Sequence, residues 1–257
     1  MRHTNKVSVA VITHNEAGRI ADCLRSVGFA DELVIVDSGS TDDTIAIAEE
    51  FGAKIIYQPF SGFGPQKQFA VDHCRHDWIL LLDADERVDE KSAEAIHQAV
   101  RFPPDGVAAF EFQRKNFLHG RWIRHCGWWP DPLLRLVDRR QGRFSDDMVH
   151  EQWLTDGKVL PLPGVIEHHS FRNYADMIDK LQRYSTLGAA QMVARGHSTY
   201  PWSPLLHGWW TFVQVYGLRL GVLDGFDGFM IALLNAGGSF MKYAKCLEAL
   251  RHRSRPS

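Results

Sequence analysis

The chain has 257 residues, of which 45% are hydrophobic and 23% charged, and its formal net charge is −2. This composition is typical of a soluble globular protein with a sizeable core, and it excludes disordered, collagen-like and coiled-coil proteins. The four cysteines are far apart and form no C-x-x-C pair. They indicate neither a disulfide framework nor a zinc site, and they favour a reducing compartment.

The N-terminal residues lead into a strand-like segment without the apolar core of a signal peptide, so we expect a protein that is not exported. Charged and polar residues interrupt the two most apolar regions, 205–223 and 226–243. We therefore expect no membrane-spanning helix.

The first hundred residues contain short apolar runs at 7–12, 33–36, 54–57 and 78–82, separated by helical periodicity. Strands that alternate with helices predict right-handed crossovers and a parallel sheet, in which ligands bind beyond the carboxyl ends of the strands. We expect the segments 13–16, 37–40 and 83–85 to share that edge. Ser40 is the expected N-cap of the second helix.

After about residue 105 the pattern favours an antiparallel or mixed continuation of the sheet, and 174–194 and 205–250 have the pattern of helices. The predicted fold class is α/β, with a mixed central sheet and a C-terminal helical extension. We expect three regions, at 1–104, 105–172 and 173–257, of which the last is the helical extension.

Asp83 and Asp85 directly follow the apolar run at 78–82. Two carboxylates at a strand end can present oxygen ligands to Mg²⁺ or Mn²⁺, whose other ligands come from water and substrate phosphates. This pattern predicts a metal and diphosphate site. A solvated turn that caps a helix is the alternative interpretation.

A second polar group follows the first two strands: Thr13, Asn15 and Glu16 after one, and Asp37 at the end of the other. A carboxylate at this edge can accept the imide N–H of uracil while its neighbours hold the ribose. The alternative is that these residues only form a turn, the start of a helix and a loop.

Three segments together carry a resemblance to a known family: VAVITHNE at 9–16, ELVIVDSGSTDDT at 32–44 and WILLLDADE at 78–86. In order and spacing they resemble the inverting family-2 glycosyltransferases, which have the GT-A (Rossmann-like) fold. Within that family the chain looks most like bacterial lipopolysaccharide-core β-1,4-glucosyltransferases. The narrower resemblance rests on the segments 127–130, 135–136, 149–151 and 223–225.

The resemblance implies that 1–104 is the nucleotide-sugar-binding half of a GT-A domain and 105–172 its acceptor-binding half, with 173–257 as a helical extension that is a candidate for membrane association. It also implies a role for each matching position. Thr13, Asn15, Glu16 and Asp37 would contact the uridine. Lys67 would lie near the nucleotide, although a lone lysine on a helix is often only solvated. Asp83 would contact the ribose or the sugar, and Asp85, with Asp83 beside it, would bind Mn²⁺ or Mg²⁺.

An inverting transfer needs a base that takes the proton of the acceptor hydroxyl. Many family members supply it from a Glu-Asp pair at the start of a helix, and this sequence departs from that pattern by having His150 and Glu151 at the corresponding place. Glu151 is the predicted base, and His150 would orient it or contact the diphosphate. Asp131 is the second candidate. Alternatively, His150 and Glu151 only anchor a loop.

The chain carries an excess of positive charge between residues 114 and 143, where eight Arg and Lys residues accompany only Asp131 and Asp138. Guanidinium groups bind phosphates and carboxylates, so Arg114 and Arg135 are candidate ligands for an anionic acceptor. Trp128 and Trp129 could stack on a sugar. An exposed charged segment with ordinary aromatic packing is the alternative.

Residues 172–257 contain 10 basic and 5 acidic side chains together with several Trp and Tyr residues. This combination suits the interface of an anionic membrane. Alternatively, the helices cover the catalytic domain or pair with another subunit. We expect no metal site from the adjacent His168 and His169, because neighbouring residues on a strand point in opposite directions.

These observations and the resemblance predict a metal-dependent inverting transferase that moves a hexose, with glucose favoured, from a UDP-sugar to a lipopolysaccharide or lipooligosaccharide core saccharide. We expect it at the cytoplasmic face of the bacterial inner membrane, in peripheral contact with the membrane and without a nucleic-acid partner. Transfer to polyprenyl phosphate or peptide, and an inactive sugar-binding protein, remain alternatives. A nucleotidyltransferase is disfavoured, since 13–18 contains one glycine where a glycine-rich loop would be expected.

Overall fold

A computed structural model describes residues 5–145 and 151–253 of the chain. The described residues fall into two compact units, which are treated separately below. The first lies within Met1–Arg114 and Asp131–His168, and the second within Lys115–Pro130 and His169–Ser257.

The strands, in chain order, are β1 (Val7–Thr13), β2 (Glu32–Asp37), β3 (Lys54–Tyr57), β4 (Trp78–Asp83), β5 (Glu86–Val88), β6 (Val107–Leu118), β7 (Arg121–Trp122), β8 (Pro132–Asp138), β9 (Arg143–Phe144), β10 (Trp153–Leu154) and β11 (Lys158–Phe171). The α-helices are α1 (Ile20–Ser26), α2 (Thr44–Glu50), α3 (Phe63–Asp72), α4 (Glu90–Arg101), α5 (Tyr174–Ala194), α6 (Ser203–Phe212) and α7 (Gly225–Arg253).

The four predicted strands of the first hundred residues are confirmed as β1 to β4, and they form the parallel part of the sheet in the order β3-β2-β1-β4. β1 and β4 are apolar and almost wholly buried, as expected for strands covered on both faces. Thr13 pairs in register with Asp37, and Ile12 with Asp83. The carboxyl ends of β2, β1 and β4 are therefore adjacent.

The sheet continues beyond β4 with β8, β6, β11 and β5. β8 runs antiparallel to both β4 and β6, and β5 runs antiparallel to β11. The register of β6 against β8 shifts between Phe110 and Glu111, where the strand is irregular. The predicted mixed sheet of the GT-A fold is confirmed.

Alternate residues of the central strands enter two separate hydrophobic clusters, one on each face of the sheet. Val9 and Leu80 pack with Leu24 of α1 on one face, whereas Ala10 and Ile79 join the cluster on the other. Full burial of a Leu or Ile side chain stabilises a fold by about 1.5 to 3 kcal/mol. The two clusters hold the polar strand ends in fixed positions.

The helix between β2 and β3 begins later than the sequence pattern suggests. Asp43 is the residue before its first turn, and no side chain caps it. The predicted N-cap, Ser40, instead donates from its hydroxyl to the Asp37 carboxylate. The N-cap prediction is wrong because the short side chain of Ser40 is bound within its own loop.

In the second unit, α5 has the predicted bounds, but 205–250 is not one helix. A π-helical turn (Val213–Leu218) follows α6, Leu220 has a left-handed φ of 55°, and a 3₁₀ turn (Gly221–Asp224) leads into α7. Buried Asp224 accepts the backbone N–H of His125 at 2.8 Å. This long-range bond favours the break, and sequence periodicity does not reveal it. In the part of the chain that is described, every helix is too short or too polar to cross a membrane.

Candidate active site

Polar side chains of the first unit meet at the carboxyl ends of the central parallel strands. Thr13 and Asp37 are opposite each other at the ends of β1 and β2, and Asp83 ends β4. This is the edge at which the sequence predicts ligand binding, and parallel sheets bind their ligands there.

The loops after β1 and β2 are joined by hydrogen bonds from side chains. The Asp37 carboxylate accepts the backbone N–H groups of Gly39 and Ser40 at 2.8 and 2.9 Å. Asn15 donates its backbone N–H to Ser40 Oγ and accepts that of Thr41 through Oδ1. Asn15 has a φ of 57°, a left-handed conformation that Asn tolerates better than most residues. Both loops therefore have a defined shape.

Thr13 and Glu16 are the other two polar residues near the end of β1. Thr13 is buried, and its Oγ1 has no hydrogen-bond partner among the described residues. Glu16 donates its backbone N–H to Thr44 Oγ1 at 2.8 Å, and its carboxylate contacts Arg19 at 3.3 Å. A buried hydroxyl without a protein partner is suited to a bound polar ligand.

Asp83 is held by two buried cations. Its Oδ2 lies 2.8 Å from Arg135 Nη2, and its Oδ1 lies 3.4 Å from Lys67 Nζ. Burial raises the pKa of the Asp83 carboxyl, but the positive charges of Lys67 and Arg135 outweigh burial and hold the pKa well below its usual range. Asp83 is consequently an anion with both oxygens in contact with cationic side chains.

Asp85 has different neighbours. Its Oδ2 lies 3.4 Å from His168 Nε2 and 3.5 Å from Arg19 Nη1. Burial raises the pKa of the Asp85 carboxyl, but the hydrogen bond and the charge of His168 outweigh burial, so the pKa lies below its ordinary value. The neighbouring His169 stacks on Phe117. That the adjacent His168 and His169 do not form a metal site as a pair stays a prediction.

Lys67 connects Asp83 with Glu151. Its Nζ lies 2.7 Å from Glu151 Oε1, and Lys67 is only 4% exposed. The interpretation of Lys67 as a solvated surface lysine is therefore wrong. Glu151 and Asp83 contact the same ammonium group. His150, the second catalytic prediction, lies outside the described residues.

Glu86 is a functional neighbour that the sequence analysis did not single out, although it ends the Asp-Ala-Asp-Glu motif. It is fully buried, contacts Arg135 at 2.7 Å and Arg114 at 3.4 Å, and accepts the backbone N–H of Asp83 through Oε2. Arg114 also contacts Asp131, the second candidate base, at 2.8 Å. Glu86 thus fixes both the backbone and the guanidinium partner of Asp83.

The donor set at Asp85 fits a divalent cation. Ligands of an octahedral Mg²⁺ lie at about 2.1 Å, which separates neighbouring ligand atoms by about 3 Å. The 3.4 Å between Asp85 and His168 is close to that separation. Within 5–145 and 151–253, no group of three or more His, Cys, Asp and Glu side chains could hold a metal ion. A cation here would therefore take its other ligands from substrate and water.

The basic segment between residues 114 and 143 is not a continuous anion-facing surface. Arg135 is buried against Asp83 and Glu86, and Arg140 contacts Asp138 at 2.7 Å and Asp77 at 3.0 Å. Arg139 donates to the Cys74 carbonyl at 2.6 Å. These three arginines therefore have partners within the protein, which are carboxylates for two of them and a backbone carbonyl for the third.

Trp128 and Trp129, the predicted sugar platforms, belong to the second unit. Trp128 stacks on Phe171 with ring centroids 5.9 Å apart, and Trp129 meets Trp122 edge to face at 5.3 Å. Their role in acceptor binding, like that of Arg114 and Arg135, stays a prediction.

Residues 8–160 match the sequence profile of a family described as Glycosyl transferase family 2. An uncharacterized glycosyltransferase of Rickettsia felis is 31% identical over 95% of this chain and 90% of its own length. The lipopolysaccharide core biosynthesis glycosyltransferase LpsC of Rhizobium meliloti is 30% identical over 98% of this chain and 95% of its own.

Among solved structures, glucosyl-3-phosphoglycerate synthase from Mycobacterium tuberculosis in complex with Mn²⁺, UDP and glucosyl-3-phosphoglycerate has 22% sequence identity and a TM-score of 0.35. That likeness covers 44% of each chain. Family membership rests instead on the sequence match, which spans more than half of the chain, and on full-length relatives. The chain belongs to glycosyltransferase family 2, and it is a glycosyltransferase of the GT-A fold.

Proposed function

We propose that this glycosyltransferase moves a hexose, with glucose as the first candidate, from a UDP-sugar to a lipopolysaccharide core saccharide, with inversion at the anomeric carbon. One observation carries the proposal. At the carboxyl end of β4, the Lys67 ammonium contacts both Asp83 and Glu151, and Asp85, two residues after Asp83, contacts His168.

The loops after β1 and β2 would bind the uridine. Asp37 is an acceptor whose orientation is fixed by the two backbone N–H groups of its own loop. It would accept the imide N–H of uracil, and the buried Thr13 hydroxyl would supply a further polar contact. Asn15 and Glu16 would complete this side. Fixed, buried acceptors discriminate strongly between ligands that carry the matching donor and those that do not.

Asp85 and His168 would hold Mn²⁺ or Mg²⁺ together with the diphosphate of the donor. Bound there, a divalent cation neutralises the charge that develops on the departing UDP. Asp83, kept ionised by Lys67 and Arg135, would accept hydrogen bonds from hydroxyl groups of the ribose or the sugar. An ionised acceptor makes hydrogen bonds roughly twice as strong as a neutral one.

Glu151 would act as the base. As the acceptor oxygen forms its bond to the anomeric carbon, the bond from that carbon to the diphosphate oxygen breaks, and the hydroxyl proton moves to the Glu151 carboxylate. Lys67 orients that carboxylate through the 2.7 Å contact. A positioned base typically contributes about 10²- to 10⁴-fold to the rate.

The acceptor is inferred from a relative. LpsC is described as a lipopolysaccharide core biosynthesis glycosyltransferase, and it is 30% identical to this chain over nearly the whole length of both. We infer the same acceptor class here, and with it a site of action at the cytoplasmic face of the bacterial inner membrane.

Separate variants test the proposed metal site and the proposed base. Asp85→Asn and His168→Ala are expected to weaken Mn²⁺-dependent UDP binding about tenfold or more in calorimetry. Glu151→Gln should bind UDP as the wild type does, while its kcat falls by about 10²-fold or more. His169→Ala, at the next position in the chain, is the matched control and should bind Mn²⁺ and UDP normally.

Two outcomes would overturn these assignments. Transfer at the wild-type rate by Glu151→Gln would remove that residue from the mechanism. UDP binding that is equally tight with Mn²⁺ and with EDTA would remove the metal from the proposal.

A further inference from the structure

The second unit exposes several large apolar side chains on and beside α6. At least half of the surface of each side chain is open to solvent: Trp202, Leu205, Leu206, Trp209, Trp210 and Phe226. We call these six residues the α6 surface. Scattered exposed apolar residues are ordinary, but a cluster of this kind indicates an interaction site.

Packing on the opposite side of α6 keeps these residues exposed to solvent. Pro204 and Gly208 are buried, and a Cβ at Gly208 would lie 3.2 Å from the Ala236 carbonyl oxygen of α7. Because the two helices approach so closely along this line, α6 cannot rotate to bury Trp209 without losing its contact with α7. The packing of α6 against α7 therefore keeps Trp209 exposed.

The segment after α6 is also fixed in place. Phe212 and Phe229 are 6.0 Å apart, and Phe229 is 6.2 Å from Phe226, so aromatic contacts connect the end of α6 with the start of α7. Arg121 donates to the Asp224 carbonyl at 3.0 Å and pairs with Asp227 at 3.1 Å. Phe226, which is 68% exposed, is thus displayed by an anchored turn.

The charge of this region is one-sided. Between residues 180 and 223 the sequence contains four basic residues and no Asp or Glu. The four are Lys180, Arg183, Arg195 and Arg219. Five residues of the α6 surface lie in this stretch without carboxylates, and Phe226 lies between Asp224, which is buried, and Asp227, which pairs with Arg121. An apolar, Trp-rich surface with this charge is complementary to a bilayer with anionic headgroups, where Trp occupies the boundary between hydrocarbon and water.

We propose that the α6 surface docks the protein on the surface of an anionic lipid bilayer. The helix would lie in the plane of the interface, with its Trp and Leu side chains inserted to a depth of about 5 to 10 Å. The inference rests on the exposed side chains and the charge of their segment. It does not depend on the identity of the sugar or of the acceptor.

Vesicle flotation with the full chain tests the proposal. Wild-type protein should float with vesicles of phosphatidylglycerol and phosphatidylethanolamine and bind vesicles of phosphatidylcholine more weakly. Leu205→Glu combined with Trp209→Glu should reduce the partition coefficient by about tenfold or more, because the variant replaces two inserted apolar side chains with charged ones. Phe102→Glu is the matched control, since Phe102 is an equally exposed aromatic residue of the first unit, and it should float as the wild type does.

The main alternative is that the α6 surface binds a second copy of the chain. Sedimentation velocity without lipid would then show a dimer that Leu205→Glu/Trp209→Glu dissociates, and the wild type would fail to float. That result, or equal flotation of the double variant and the wild type, would overturn the proposal. Transfer to a water-soluble, deacylated acceptor should be the same for the double variant and the wild type, so failure of the docking proposal is distinguishable from failure of the proposed reaction.

Discussion

Lys67 is the residue on which the charge balance of the site depends. It is buried between two carboxylates, 2.7 Å from Glu151 and 3.4 Å from Asp83. Removal of one partner from a buried ion group costs more than the pair itself contributes, because the remaining charges lose their compensation. The same ammonium group sets the position of Glu151 and keeps Asp83 ionised.

We therefore predict that Lys67→Met lowers both activity and stability. We expect kcat to fall by about tenfold or more, since Glu151 loses the contact that orients it. The free energy of unfolding should fall by about 1 to 3 kcal/mol. Steady-state kinetics at a temperature where the variant is folded, together with urea denaturation, measure the two effects.

Lys54→Met is the matched control for this prediction. Lys54 is exposed, and its Nζ contacts the His73 carbonyl at 3.0 Å. Its replacement should leave kcat unchanged. Wild-type kinetics of Lys67→Met would contradict the role given to Lys67.

At this scale the sequence predicts which residues gather, but not how they pair. Asp83 and Asp85 are identified from their position after an apolar strand, and both are found at the predicted edge. The sequence does not reveal the contacts of His168 with Asp85 and of Glu86 with Arg135, because they depend on β11 and β8, which return to the site from far along the chain. No local pattern records such a pairing.

Among the elements, the turn after β8 depends on one carboxylate. Asp138 is 1% exposed and accepts hydrogen bonds from Arg140 Nε at 2.8 Å and Gln141 Nε2 at 2.9 Å. Burial raises the pKa of the Asp138 carboxyl, but the hydrogen bonds from Arg140 and Gln141 lower it, with a net shift below the ordinary value of 3.8. The ionised carboxylate thus stabilises the end of the strand.

The lowered pKa of Asp138 determines how the effect of replacing this residue depends on pH. A carboxyl whose pKa is lower in the folded state stabilises the protein above the pKa of the unfolded chain, and that contribution is lost as the pH falls through the folded pKa. Asp138→Asn should therefore destabilise the protein by about 1 to 3 kcal/mol at pH 7. The difference from the wild type should shrink as the pH falls below about 4.

Urea denaturation of both proteins between pH 3 and pH 7 measures this difference. Asp156→Asn, at an exposed position, is the control and should follow the wild type throughout. A constant difference between Asp138→Asn and the wild type over that range would exclude the ionised carboxylate as the cause.

Element types follow from the sequence more reliably than element ends. The apolar runs predict β1 to β4 to within a few residues. For β1 and β4 the reason is that burial on both faces requires continuous apolar sequence. Ser40 was expected to cap a helix, yet its hydroxyl donates to Asp37. The break between α6 and α7 is favoured by the hydrogen bond that the backbone N–H of the distant His125 donates to Asp224, which periodicity cannot detect.

For the molecule as a whole, the order of strands and helices determines where the site lies. Parallel strands joined by helices bring their carboxyl ends to one edge, so the positions of Thr13, Asp37 and Asp83 could be predicted before any contact was known. The grouping of residues 115–130 with the C-terminal helices could not. It depends on contacts such as that of Arg121 with Asp227, which lie far apart in the sequence.

We propose that this chain transfers a hexose from a UDP-sugar with inversion. The most direct measurement is UDP release from a panel of UDP-sugars, with Mn²⁺, Mg²⁺ or EDTA, with and without a truncated lipopolysaccharide acceptor, followed by NMR of the product. We expect metal-dependent release of UDP from one α-linked donor, stimulation of that release by the acceptor, and a β-linked product. Acceptor-stimulated release that persists in EDTA, or an α-linked product, would contradict the proposal.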